Sequence, residues 1–343
     1  MLMVIFGAGA SYDSCDTFRP PTPGSDMESR PPLADELFQQ RAFFDEWVRQ
    51  YPECTTVIPR LRRHSNSTLE AEMERLRAQA EREDQRAVEL HAIRYYLRRV
   101  LWHCGEAWLR RTSGVTNYGQ LLGEIRLWRS NHPSEEVRFV TFNYDTLLEH
   151  ACEGALRMQI RSVSGYVSGP YRVYKPHGSV NWVRTLGDAM GVDAKNIEHS
   201  IIGLGKSLSL SAGFHLLENP GQPLLEARYV YPALALPVNT KVAFECPEDH
   251  VARLKADIPA VTKLLVIGWR ATEPHFLEFW KQPRSNSVPD KISKIAIVAG
   301  GVGPATHVQN QLRASGIEGT FLLSPGGFSE FVTGPGLEEF LAD

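Results

Sequence analysis

The chain has 343 residues, 43% of them hydrophobic, and its 37 Lys and Arg nearly balance its 40 Asp and Glu, for a formal net charge of −3. Such a composition predicts a globular protein with a sizeable core and argues against direct binding of nucleic acid or a membrane surface. No apolar run approaches the ~20 residues that cross a bilayer, and no secretory leader is apparent. The five scattered cysteines predict neither a disulfide framework nor a zinc site, so we expect a cytoplasmic chain with reduced thiols.

The first predicted element is a short apolar strand that runs directly into a glycine turn. Val4-Ile5-Phe6 is followed by Gly7-Ala8-Gly9-Ala10-Ser11. Two glycines at such a turn let the backbone approach a diphosphate, with N–H groups directed at its oxygens. The full dinucleotide fingerprint would need a further glycine where Tyr12 stands, so an ordinary strand-to-loop turn is the alternative.

A loop and a long helical block follow the glycine turn. Residues 12–32 are rich in Pro and Gly, which predicts either a loop that closes over a ligand or a solvated connection. The helical pattern runs from Leu33 to about Arg111, with Ser67 or Thr68 as a candidate helix cap. The arginines of this block are more typical of solvated helix faces than of a binding patch.

Strands and helices alternate in the remainder of the chain. The predicted strands are Val137–Thr141, Tyr171–Tyr174, Lys263–Gly268 and Lys294–Ala299, and the predicted helices include Thr146–His150, Pro274–Trp280 and His307–Ala314. The last two strands are almost wholly apolar, as expected of strands covered on both faces. This alternation predicts an α/β fold: a doubly wound, Rossmann-like parallel sheet with a helical insertion lobe. We expect a single domain over residues 1–343, with 1–32 and 112–343 forming the sheet core and 33–111 the lobe.

Polar residues stand where the predicted strands end. Asn143 and Asp145 follow the strand 137–141, and the segments 268–270 and 299–303 follow the last two strands. Ligands of doubly wound sheets bind beyond the carboxyl ends of the strands, so we expect these segments and the glycine turn to meet at one crevice. Asn and Asp are also common turn and helix-cap residues, which is the alternative for both side chains.

A histidine motif, Lys175-Pro176-His177-Gly178-Ser179, follows the predicted strand that ends at Tyr174. Imidazole side chains can accept a proton at cellular pH, so His177 is a candidate general base. Gly178 leaves space beside the imidazole, and we expect Trp182 to supply an apolar wall. The alternative is a turn histidine that is hydrogen-bonded to the backbone.

In this order, the glycine turn, Asn143 with Asp145, His177-Gly178 and Ile267-Gly268 resemble the sirtuin (SIR2) superfamily, and more specifically the bacterial SIR2-like NAD hydrolases of anti-phage defence. The resemblance implies that Asn143 and Asp145 hold the nicotinamide ribose and amide and that His177 is the general base. It implies a wider NAD+ site made of Gly7, Ala8, Gly9, Ala10, Ser11, Gly178, Gly268 and Trp269, with Ala299 and Gly300 near the adenosine ribose.

The chain also departs from the protein-deacylating sirtuins. Those enzymes carry a four-cysteine zinc module after the Asn motif, whereas only Cys152 and Cys246 follow Asn143 here. Their Gly-Thr-Ser motif is replaced by Gly268-Trp269-Arg270. The resemblance therefore favours hydrolysis of NAD+ as a substrate, without a metal. NAD-dependent deacylation, and sensing of NAD or ADP-ribose without catalysis, remain the alternatives.

Unrestrained hydrolysis of NAD+ would harm the cell that makes the enzyme. We therefore expect activity to be gated, either by a homo-oligomer or by a separate partner chain. The resemblance is compatible with a partner ATPase of the HerA type or with a short Argonaute, and no residue selects between the two.

Overall fold

A parallel sheet and a smaller antiparallel sheet organise the computed structural model, which describes residues 1–19, 28–63, 68–187, 191–238, 244–285 and 288–342. The strands in these ranges are β1 (Leu2–Phe6), β2 (Val137–Thr141), β3 (Tyr171–Tyr174), β4 (Gly178–Leu186), β5 (Leu210–Leu216), β6 (Leu224–Leu225), β7 (Arg228–Leu234), β8 (Lys263–Ile267), β9 (Ile292–Val298) and β10 (Gly319–Ser324). The helices are α1 (Ala8–Tyr12), α2 (Ala42–Gln50), α3 (Ile58–Arg63), α4 (Leu69–Ala80), α5 (Asp84–Arg111), α6 (Asn117–Asn131), α7 (Leu147–Leu156), α8 (Ile197–Gly203), α9 (Glu248–Asp257), α10 (Pro274–Glu278), α11 (Val302–Ala314), α12 (Gly327–Thr333) and α13 (Gly336–Leu341). Within the described ranges, no helix is long and apolar enough to cross a membrane.

The main sheet has the strand order β10-β9-β8-β1-β2-β3, and all of its pairs are parallel. Counted along the chain, the strands of this sheet read 3-2-1-4-5-6, which is the order of the Rossmann fold. The predicted α/β, doubly wound parallel sheet is therefore confirmed. The strand order reverses between β1 and β8, and sheets of this order bind ligands beyond the strand ends at such a switch point.

Apolar side chains explain why these strands lie at the centre. Every residue of β1 is fully buried, and its register places Leu2 beside Val137 on one side and Lys263 on the other. Arg138 near the start of β2 is a charged exception, and its Nε donates to Asp257 at 2.6 Å. Removing one partner of such a buried pair typically costs about 3–5 kcal/mol.

The antiparallel sheet, in the order β5-β4-β7-β6, was not among the predicted elements. Its residues Val180 and Tyr231 share an apolar cluster with Ile93 and Leu97 of α5. The helical segment therefore packs against strands from the later part of the chain. The proposed division at residues 32 and 111 stays a prediction.

The predicted strands of the main sheet agree with the observed ones to within two residues. Thr68 caps α4, because its side chain accepts a hydrogen bond from the N–H of Ala71. The segment 8–12 forms a short helix, so the turn after β1 is confined to Gly7. Residues 20–27 of the predicted loop, and Ser67, lie outside the described residues.

Direct contact between backbones joins the ends of β1 and β8. Gly7 N–H donates to Ile267 O at 3.0 Å, and Gly9 N–H donates to Gly268 O at 3.1 Å. Gly268 has φ +60°, and a Cβ built on it would lie 2.3 Å from the nitrogen of Ala10. A Cβ on Gly7 would lie 2.5 Å from the Cα of Trp269. These glycines are thus required by the close approach of two chain segments.

We expect Gly268→Ala to lower the free energy of unfolding by at least about 2 kcal/mol, because left-handed strain of about 1–3 kcal/mol adds to a backbone clash. Gly123→Ala is the control, since no atom lies within 4 Å of a Cβ at that position in α6. It should stabilise the chain by up to about 1 kcal/mol. Denaturant unfolding measures the free energy of unfolding of both variants. A Gly268→Ala chain as stable as wild type would contradict the close contact between Gly268 and the glycine turn.

Candidate active site

The carboxamide of Asn143 lies against the glycine turn. Its Nδ2 donates to Gly7 O and to Ser11 Oγ, both at 2.9 Å, and lies 3.2 Å from the hydroxyl of Tyr118. A backbone carbonyl can only accept, so the amide nitrogen must face the turn. The amide oxygen Oδ1 then faces away from the turn. Asn143 is 6% exposed, and Oδ1 is the acceptor end of its carboxamide.

Tyr118 of α6 belongs to this polar cluster, although sequence reasoning missed it. Its hydroxyl lies 3.0 Å from Ser11 Oγ. Burial raises the pKa of Tyr118 well above its ordinary value, so the phenol stays neutral and can donate. Nothing in the helical pattern distinguishes this tyrosine from an ordinary core aromatic residue.

Asp145 is a buried carboxylate beside the same cluster. Its Oδ1 accepts from the N–H of Leu147 at 3.0 Å, at the start of α7, and Ser11 donates a further hydrogen bond to it. Burial raises the pKa of Asp145, and the charge of Lys175 opposes that rise. Thr146 is the N-cap of α7, so Asp145 makes a turn contact just before the helix, and the same carboxylate also accepts from Ser11.

His177 contacts Phe142, the residue before Asn143. Its Nδ1 is 3.3 Å from Phe142 O, and because a carbonyl can only accept, Nδ1 carries the proton of this hydrogen bond. In the neutral ring, Nε2 is then the basic nitrogen. The imidazole is 3% exposed, and its centroid lies 4.9 Å from that of Phe142 and 6.1 Å from that of Tyr144.

Trp182 and Gly178, the two residues expected beside His177, have packing contacts of their own. The indole of Trp182 contacts Tyr166 and His250, at centroid distances of 5.0 and 5.7 Å. Gly178 allows β4 to lie close to β7, because a Cβ at this position would lie 2.0 Å from Ala233 O. Its φ of +77° also favours glycine.

The loop after β8 contacts the glycine turn, and the loop after β9 follows the next strand of the sheet. Trp269, 4% exposed, stacks on Phe142 at a centroid distance of 5.3 Å and an interplanar angle of 10°, so its ring supports the loop from within the core. Ala299 is buried and its N–H donates to Ser324 O at 3.0 Å, while Gly300 is exposed. Both follow β9, which lies two strands from β1.

The structure thus brings the three sequence motifs to one corner of the sheet. Phe142 N–H donates to Phe6 O at 3.0 Å, which aligns the segments after β1 and β2. Val180 N–H donates to Tyr144 O at 2.9 Å, which holds the histidine segment against the Asn segment. In the ranges that the structure describes, no group of three His, Cys, Asp or Glu side chains could hold a metal ion.

Comparisons with known proteins give a weak likeness to sirtuins. No protein-family model and no curated protein matches the sequence. Similar solved structures include one described as "Sir2-p53 peptide-NAD+", with 12% identity and a TM-score of 0.39, covering 100% of this chain and 94% of that one. Two described by sirtuin substrate affinity have 11% and 13% identity and TM-scores of 0.39 and 0.35, and cover 100% and 99% of this chain and 94% and 93% of theirs.

The raised pKa of Asp145 predicts how stability depends on pH. The folded chain binds the proton of Asp145 more tightly than the unfolded chain does. The contribution of this residue to the free energy of unfolding is therefore full at low pH and is lost as pH rises through the folded pKa. We expect Asp145→Asn, which cannot ionise, to be more stable than wild type at neutral pH, with a gain that shrinks as pH falls. Denaturant unfolding over a pH series measures this gain. Asp16→Asn at an exposed position is the control, and a gain independent of pH would contradict the assignment.

Proposed function

We propose that the chain is an NAD+ hydrolase that cleaves the bond between nicotinamide and ribose, giving nicotinamide and ADP-ribose. The observation that carries this proposal is the placement of Asn143 and His177 at one corner, beside the glycine turn and next to the β1–β8 switch point. Dinucleotides bind at such switch points in sheets of this strand order. The motif resemblance to SIR2-like hydrolases implies the same reaction.

The chemistry needs few groups, and the corner supplies them. Nicotinamide carries a positive charge in NAD+ and leaves as a neutral molecule, so no general acid is required, unlike for an ordinary glycoside. Water adds to the anomeric carbon and releases one proton. Asn143 Oδ1 can accept from the water or from a ribose hydroxyl, and His177 can take the proton through Nε2.

The glycine turn has a different role from the one that its sequence suggests. The N–H groups of Gly7, Gly9 and Ala10 donate to Ile267 O, Gly268 O and Gly7 O. We therefore propose that these residues shape the crevice instead of donating to the diphosphate.

The test is to incubate the purified full chain with NAD+, with and without an acylated peptide, and to measure free nicotinamide and ADP-ribose. We expect release without peptide, and a fall of at least about 100-fold in Asn143→Ala and His177→Ala, as for the loss of positioned acid–base groups. His307→Ala and Asn310→Ala on the exposed face of α11 are matched controls. Release only with peptide would identify a deacylase, and binding without release would identify a sensor.

We further propose that hydrolysis serves anti-phage defence through depletion of NAD+ and is gated by self-association or by a partner chain. The specific activity of the isolated chain should then rise with protein concentration or on addition of a partner. Size-exclusion chromatography coupled to the nicotinamide assay measures this. A monomer with full activity at every concentration would count against gating.

A further inference from the structure

Lys175 has a buried ammonium group that takes no part in the reaction described above. It lies two residues before His177, is 1% exposed, and donates through Nζ to Asp145 O at 2.5 Å and to Glu149 Oε1 at 2.7 Å. Tyr166 donates to the same Glu149 oxygen at 2.9 Å. One cation therefore connects the histidine segment, the segment that carries Asn143 and Asp145, and the first turn of α7.

Lys175 supplies a positive charge near Asp145, whereas the other neighbours named below are neutral or acidic. Ser11 from α1 and Tyr118 from α6 face the carboxylate with neutral hydroxyl groups, and Gly105 of α5 lies beside its Cβ without a charge. The charged neighbours are Lys175, which lowers the pKa of Asp145, and Glu149, which raises it. Burying an ammonium group for stability alone is inefficient, because an apolar replacement for the whole pair is often neutral or stabilising.

We propose that Lys175 is a positioning residue of the NAD+ site: its ammonium holds the Asn143–Asp145 segment against the His177 segment and supplies the positive charge that faces Asp145. This inference rests on the proposed hydrolase function. Without the ammonium, the carbonyl of Asp145 loses its partner, and the carboxylates of Asp145 and Glu149 are left to repel each other. The loop would then shift relative to His177, and Asp145 would take up a proton at a higher pH.

The test measures kcat and KM for nicotinamide release by Lys175→Met over a pH series. We expect kcat at neutral pH to fall roughly 10- to 100-fold, as for a small misplacement of reacting groups. The acid limb of kcat/KM should move up by about one pH unit, the size expected when a nearby opposite charge is lost. KM should change much less, because Lys175 does not touch the proposed ligand.

Companion variants separate this role from a structural one. Glu149→Gln combined with Lys175→Met removes the orphaned carboxylate, so it should recover stability without recovering kcat. The acid limb should move part of the way back toward wild type, because the charge of Glu149 raises the pKa of Asp145. Lys175→Arg keeps the charge and should keep the acid limb near that of wild type. Arg138→Met breaks a buried pair near the start of β2, away from the site, and should lower stability without moving the acid limb. A Lys175→Met profile that matches wild type would overturn the proposal.

If the wild-type chain does not cleave NAD+, the proposed function fails, and the inference is decided by a second readout. The carboxyl carbon of Asp145 can be titrated by ¹³C NMR after selective labelling, with Asp145→Asn identifying its resonance. A higher midpoint in Lys175→Met than in wild type supports the electrostatic role. Equal midpoints overturn it.

Discussion

The hydrogen bond from Asn143 Nδ2 to Gly7 O is the interaction on which the candidate site depends. It joins the segments that follow β1 and β2 and fixes which end of the carboxamide faces the crevice. Because the Gly7 carbonyl cannot donate, the amide has one orientation, with Oδ1 directed away from the turn. Ser11 and Tyr118 lie within hydrogen-bond distance of the same nitrogen, so two separate parts of the chain, the glycine turn and α6, determine one acceptor position.

A second constraint is the close approach of backbones around Gly268. The φ of this residue and its distance from Ala10 leave no room for a side chain, and its carbonyl accepts from Gly9. The end of β8 is therefore held directly on the start of α1, at the switch point of the sheet. Trp269, the next residue, stacks on Phe142 in the core. The carbonyl of Phe142 in turn accepts a hydrogen bond from His177. The stacked rings of Trp269 and Phe142 thus connect the end of β8 to the imidazole of His177.

Much of this arrangement could be predicted from the sequence. Continuous apolar runs reveal the buried parallel strands, and the polar residues after them mark the edge where ligands bind. What the sequence does not reveal is contact between distant segments. Gly7 and Gly9 predicted a diphosphate cradle, but their N–H groups are paired with β8, whose position only the fold determines. Tyr118 was missed for the same reason, since the sequence does not show which neighbour a buried aromatic residue contacts.

The central claim is that Asn143 and His177 act on a single ribose. The most direct measurement is a crystal structure of the full chain with a non-hydrolysable NAD+ analogue whose ribose oxygen is replaced by carbon. The account predicts that the nicotinamide ribose lies at the corner formed by Gly7, Asn143 and His177, with Oδ1 and Nε2 both within reach of its hydroxyls or of one water beside the anomeric carbon. A dinucleotide bound elsewhere on the sheet edge, or a ribose that meets only one of the two side chains, would contradict it.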